Sequence, residues 1–143
     1  MKARPIAFAT LTLLCGFSIY AQEPTKSAFG TSKENAIEVC KPNGERAYLA
    51  RLICPDSSHP TFNRIGSVGM RHDFPSDMSE DDQMKEMMAA MTGQKLEPGQ
   101  ADRHMIDGYT VQCGSEGKTL YLDMYHCDAP APNQAPDGFT IIN

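Results

Sequence analysis

The sequence has no glycine-rich phosphate loop, no cysteines in C-x2-C spacing and no H-E-x-x-H motif. Those absences remove the usual marks of a nucleotide-phosphate cradle, of a zinc site built on close cysteine pairs and of a zinc-protease helix. "GSVG" at 66–69 lacks the spacing and following helix of a nucleophile elbow, and reads as a bulge or strand end. Positive charge is scarce. Thirteen Lys and Arg stand against 18 Asp and Glu, a net charge of −5. Phosphate contacts need a Lys/Arg surplus, so nucleic acid is a poor partner for this chain. Beyond the N-terminus, no apolar run approaches the ~20 residues that cross a bilayer.

What is present begins with a leader. Lys2 and Arg4 precede an uncharged, mostly apolar span from Pro5 to Ala21, after which "QEPTKS" turns polar. This is the layout of a secretory signal peptide with cleavage after Ala21. Cys15 lies inside the leader, and Leu14 before it is too large for a lipidation site. Cleavage leaves four cysteines, and 11 Lys and Arg against the same 18 acids. An even cysteine count in an exported chain implies disulfides, here among Cys40, Cys54, Cys113 and Cys127. The expected location is periplasmic or secreted, with no membrane span once the leader is gone.

Two stretches read alike. "CKPNGERAYLARLIC" (40–54) and "CGSEGKTLYLDMYHC" (113–127) each enclose 13 residues between cysteines, with Gly at the fourth step and Tyr-Leu at the eighth and ninth. Asn43-Gly44 and "GSEG" are turn signals, and "TLYLDMY" alternates, so each stretch predicts a β-hairpin. "TFNRIGSVG" after the first and "FTII" after the second predict a third strand each. Between them "SEDDQMKEMMAAMTG" predicts a helix over 79–92. Ser79 stands at its N-cap, three acids fill its first turn and Gly93 follows it. Met84, Met87, Met88 and Met91 share one of its faces.

The fold expected is α+β: two duplicated three-stranded antiparallel units (34–70 and 102–143) joined by one amphipathic helix that lays its methionine face on a sheet. Residues 22–33 would form a flexible lead-in to a single domain over 34–143. The cysteine pairing is contested. Regular hairpins hold Cys40 and Cys54 too far apart to bond, whereas matched spacing argues that each unit carries its own bond. The expectation leans to Cys40–Cys54 and Cys113–Cys127.

No catalytic constellation is legible. His59, His72, His104 and His126 have no recognised spacing, and Asp107 and Asp123 read as solvent-facing strand residues. If Leu120, Leu122 and Met124 face the core, Tyr121, Asp123 and Tyr125 face outward. With Tyr48 they form the candidate binding surface. The function expected is that of a small exported binding protein with no cofactor. Its partner would be another exported or envelope protein, as for an inhibitor or immunity-type protein against a basic hydrolase. One alternative is a periplasmic copper protein using Met and His, with Met84, Met87, Met88 and Met91 as ligands. Another is a small enzyme whose site is assembled from distant residues.

Overall fold

A computed structural model describes residues 28–142, so the leader and its expected cut lie outside the described residues. In chain order the elements are β1 (Ile37–Glu38), α1 (Lys41–Ala50), β2 (Leu52–Ile53), β3 (Thr61–Met70), α2 (Glu80–Ala90), β4 (Met105–Cys113), β5 (Glu116–Asp123) and β6 (Thr140–Ile141). The fold is α+β. Four strands make a mixed sheet in the order β1-β5-β4-β3, and β2 pairs with β6 in a separate two-stranded ribbon.

The second cysteine stretch folds as its pattern predicts. Gly114, at φ +59°, and Ser115 connect β4 to β5, and the register runs from Cys113 opposite Glu116 to Asp107 opposite Leu122. Leu120 and Leu122 are fully buried, as the alternation requires. β3 lies on the other side of β4 and changes register between Arg64 and Gly66 and again between Ser67 and Met70. Gly66 and Gly69, at φ +136° and +109°, supply the backbone those bulges need.

The first stretch does not form a hairpin. Residues 41–50 are α1, and Asn43-Gly44 lies within the helix. Pro42 sits in its first turn, where a missing N–H costs nothing. Glu45, Tyr48, Leu49 and Leu52 recur at i, i+3, i+4 and i+7, and all four are buried. Burying that stripe outweighs the turn preference of two residues. Two matched units are therefore not seen. The halves interleave instead: β1 runs parallel to β5, β3 pairs with β4, and β6 pairs with β2.

The same topology corrects the expected disulfide pairing. Cys40 bonds Cys127 and Cys54 bonds Cys113, with Cα separations of 4.5 and 5.7 Å. A ten-residue helix is about 15 Å long, and α1 holds Cys40 and Cys54 at its opposite ends. Cys40 instead forms a β-bridge with Tyr125, two residues before its mate Cys127. Ile37, Val39, Tyr48, Leu49, Leu52, Tyr109, Val111, Leu120 and Leu122 make one core between these elements. Within the segment read as a lead-in, Phe29 packs against that core and the Gly30 carbonyl accepts the Tyr121 N–H at 2.9 Å.

α2 has the ends that were expected but the opposite facing. The Asp82 N–H donates to Ser79 Oγ at 3.2 Å, and Gly93 follows at φ +64°. Gln83, Glu86 and Ala90 are the half-buried residues, whereas Met84, Met88 and Met91 are 59%, 64% and 63% exposed and Met87 is 36% exposed. The methionine stripe is not core. Periodicity defines a stripe without saying which way it faces. Here the body of the protein offers Arg103, which pairs with Glu86 and lies 5.3 Å over the Phe74 ring. That charged anchor turns the polar face inward. Among the described residues, no helix is long and apolar enough to cross a membrane.

Candidate functional site

Strand register decides which polar side chains meet. The β4–β5 pairing sets the residues just before Met105 beside those just after Asp123. Glu38 on β1 lies opposite Asp123, and the Arg71 N–H, just past β3, donates to the His104 carbonyl at 3.0 Å. Glu38, Arg71, Asp102, His104, Asp123 and His126 thus converge at one end of the four-stranded sheet.

Their contacts are dense. Arg71 Nη1 donates to Asp102 Oδ2 at 2.8 Å and to Glu38 Oε1 at 2.7 Å. His126 Nε2 lies 3.0 Å from Asp102 Oδ2 and 3.2 Å from Asp123 Oδ2. His104 Nδ1 lies 3.0 Å from Asp102 Oδ1 and 3.4 Å from Asp123 Oδ2. Those two approaches are off the hydrogen-bonding direction. Among the described residues, neither ring nitrogen of His104 has a hydrogen-bond partner, although the residue is 1% exposed. Its ring stacks on Tyr125 at 5.1 Å and meets His126 edge-on at 5.0 Å. The backbone after Asp123 is pinned, because the His126 N–H donates to the Val39 carbonyl and Cys127 is bonded to Cys40.

Burial alone would depress both imidazoles, but the Asp102 and Asp123 carboxylates outweigh it, raising His104 to about 9 and His126 to about 10. Burial would likewise raise both carboxyls, but the two imidazoles set against them hold Asp102 and Asp123 below the usual carboxylate range. A cleft of about 440 Å³, lined in part by Phe29, Glu38, Arg71, His126 and Pro130, opens onto the Arg71–His126 side of the cluster.

A second polar group lies between α1 and the four-stranded sheet. Tyr109 donates its hydroxyl to Glu45 Oε2 at 2.8 Å, while Glu45 Oε1 is buried without a partner among the described residues. Desolvation, reinforced by the nearby Asp107 carboxylate, pushes Glu45 up to about 7 against the opposing Tyr109 bond. Asp107 is itself buried and accepts two bonds from Arg64, at 2.6 and 2.7 Å.

The structure separates the residues of the expected binding surface. Tyr48 is buried in the core, its hydroxyl donating to the Gln134 carbonyl at 2.6 Å. Asp123 is fully buried in the histidine–aspartate cluster, and Tyr121 and Tyr125 are half-buried. Asp107 and Asp123, expected to face solvent, are both interior. His59 and His72 are exposed, and neither joins His104 and His126. The cluster had a readable signal. Asp102 and His104 lie 12 and 10 residues before Gly114, and Asp123 and His126 lie 8 and 11 residues after Ser115, so a regular hairpin brings the two pairs to the same end.

No protein-family model, curated protein or solved structure matches this chain.

Proposed function

We propose that this is an exported, disulfide-braced binding protein that grips a basic partner through the outward methionine face of α2, acting as an inhibitor or immunity-type protein toward an envelope hydrolase. One observation carries the reading: Met84, Met87, Met88 and Met91 lie in solvent while the polar side of their helix faces the body. An apolar stripe left in water costs free energy that partner binding recovers. Unbranched thioethers adapt to the surface they meet. Glu80, Asp81 and Asp82 frame the stripe at its N-terminal end, and the chain as a whole is acidic. A basic partner would be steered to this face and weakened by salt.

The test is retention of envelope proteins on the immobilised mature chain at low salt. The expected result is a one-to-one complex released by salt and absent from a Met84→Ser, Met88→Ser doublet. Equal retention by both proteins, or by neither, overturns the reading.

The same exposure favours one other reading. Four accessible thioethers are soft ligands for Cu(I). Stoichiometric Cu(I) uptake that disappears in the doublet, with no protein retained, would replace the partner reading.

A further inference from the structure

We infer that Asp102, His104, Asp123 and His126 form a binding site for one divalent transition-metal ion of the zinc type. Each of the four offers one ligand atom, and those atoms all lie within 4.8 Å of one another. Zinc binds His nitrogen and carboxylate oxygen at about 2.0–2.2 Å in a tetrahedron, whose edges are then about 3.3–3.5 Å long. His104 Nδ1 lies 3.0 Å from Asp102 Oδ1 and 3.4 Å from Asp123 Oδ2, and His126 Nε2 lies 3.0 Å from Asp102 Oδ2 and 3.2 Å from Asp123 Oδ2, so the two imidazoles share one Asp123 oxygen and meet opposite oxygens of Asp102. With one Asp102 oxygen taken as ligand, three His-to-Asp separations are already near that edge length and every other is at most 4.8 Å, so modest side-chain shifts would admit the ion.

These distances would also suit hydrogen bonds, so the deciding observation is the state of His104. Its ring is buried, and among the described residues neither nitrogen has a partner in hydrogen-bonding geometry, although Nδ1 lies against two carboxylates. Leaving a buried polar atom unsatisfied costs about 1–3 kcal/mol. A metal ion between Nδ1, Asp102 and Asp123 would satisfy that nitrogen. His126 Nε2 poses the complementary problem. One ring nitrogen, carrying one proton or one lone pair, faces two carboxylate oxygens and Arg71 Nη1, the last at 3.4 Å. It cannot serve all three, but it can direct one lone pair at a shared cation.

Charge balance points the same way. Glu38, Asp102 and Asp123 bring three carboxylates to one guanidinium, Arg71. The shortfall is two positive charges, which one divalent cation or two imidazolium protons would supply. Two imidazoles among the ligands favour zinc, cobalt, nickel or copper(II) over magnesium or calcium. Four protein ligands describe a closed, structural site. Arg71, bonded to both Asp102 and Glu38, would hold the Asp102 ligand in place. The cleft beside Arg71 and His126 supplies access.

The test is titration of the oxidised protein with Zn²⁺ alone against a chromophoric chelator, with Co²⁺ as a spectroscopic substitute. The expected result is one equivalent bound, a visible Co²⁺ spectrum of tetrahedral intensity, and affinity lowered at least ~100-fold in His126→Ala and in Asp102→Asn. The Met84→Ser, Met88→Ser doublet and His72→Ala should bind as the wild type does, which separates this site from any metal held by the methionine face. No binding by the wild type means that two protons alone balance the cluster, and overturns the inference. So does binding that survives both ligand variants. Should those variants fail to fold, an octahedral Co²⁺ spectrum or no spectrum from the wild type overturns it without them.

Discussion

The Tyr109 hydroxyl donates to a fully buried Glu45 carboxyl whose other oxygen has no partner among the described residues. Glu45 is therefore easier to protonate in the folded chain than in the unfolded one, at about 7 against an ordinary 4.5. A carboxyl raised on folding stabilises fully below 4.5, and that contribution declines as pH climbs to about 7. At 1.36 kcal/mol per unit, the loss is about 3 kcal/mol. Glu45→Gln removes it. Denaturant titrations from pH 4 to 8 should show the variant gaining on the wild type as pH rises. A constant difference across that range would refute the assignment.

Arg64 and Asp107 give a second stability test. Asp107 is interior and its guanidinium partner is half-exposed. Arg64→Met should destabilise by about 2–3 kcal/mol, because it strands a buried carboxylate, while water reaching the open side moderates the cost. Arg64→Met with Asp107→Leu should recover most of the loss, measured by urea unfolding.

The facing of α2 makes a prediction opposite to the one its periodicity suggests. Met84→Ser with Met88→Ser should change stability by less than about 0.5 kcal/mol, as exposed substitutions do. Leu122→Ala, at a fully buried core position, should cost about 2–5 kcal/mol. Thermal unfolding of the two proteins side by side checks both values. A methionine doublet as damaging as Leu122→Ala would place the stripe in the core after all.

The disulfides can be mapped directly. Peptide mass analysis without reduction should find Cys40 with Cys127 and Cys54 with Cys113. Removing either bond by paired Cys→Ala should cost about 4 kcal/mol, since each closes a long loop.

Local patterns carried much of the fold. The Gly114-Ser115 turn, the alternation through Leu120 and Leu122, and the cap and stop of α2 follow from adjacent residues and appear in the structure. α1 was missed because Asn43-Gly44 is a strong two-residue signal, while the stripe Glu45, Tyr48, Leu49 and Leu52 contains a charged residue and so does not look apolar. The facing of α2 was illegible because it depends on Arg103, a residue outside the helix. The histidine–aspartate cluster needed the hairpin register, which the turn supplied, together with Arg71 and Glu38, which only the strand order places there. Resemblance between the two cysteine stretches was the most misleading feature, since equal spacing serves a helix in one and a strand pair in the other.

Both cross-links join an early cysteine to a late one, one inside the other, across separations of 87 and 59 residues. A chain delivered N-terminus first presents Cys40 and Cys54 to its surroundings before Cys113 and Cys127 have emerged. For that interval each early thiol has only the other as a mate among these four. Were the chain to enter oxidising surroundings in that interval, a bond between them would have to distort α1. Maturation then becomes a reshuffling as much as an oxidation. In that case an isomerase would raise the yield of correctly joined protein, and a stronger oxidant would lower it.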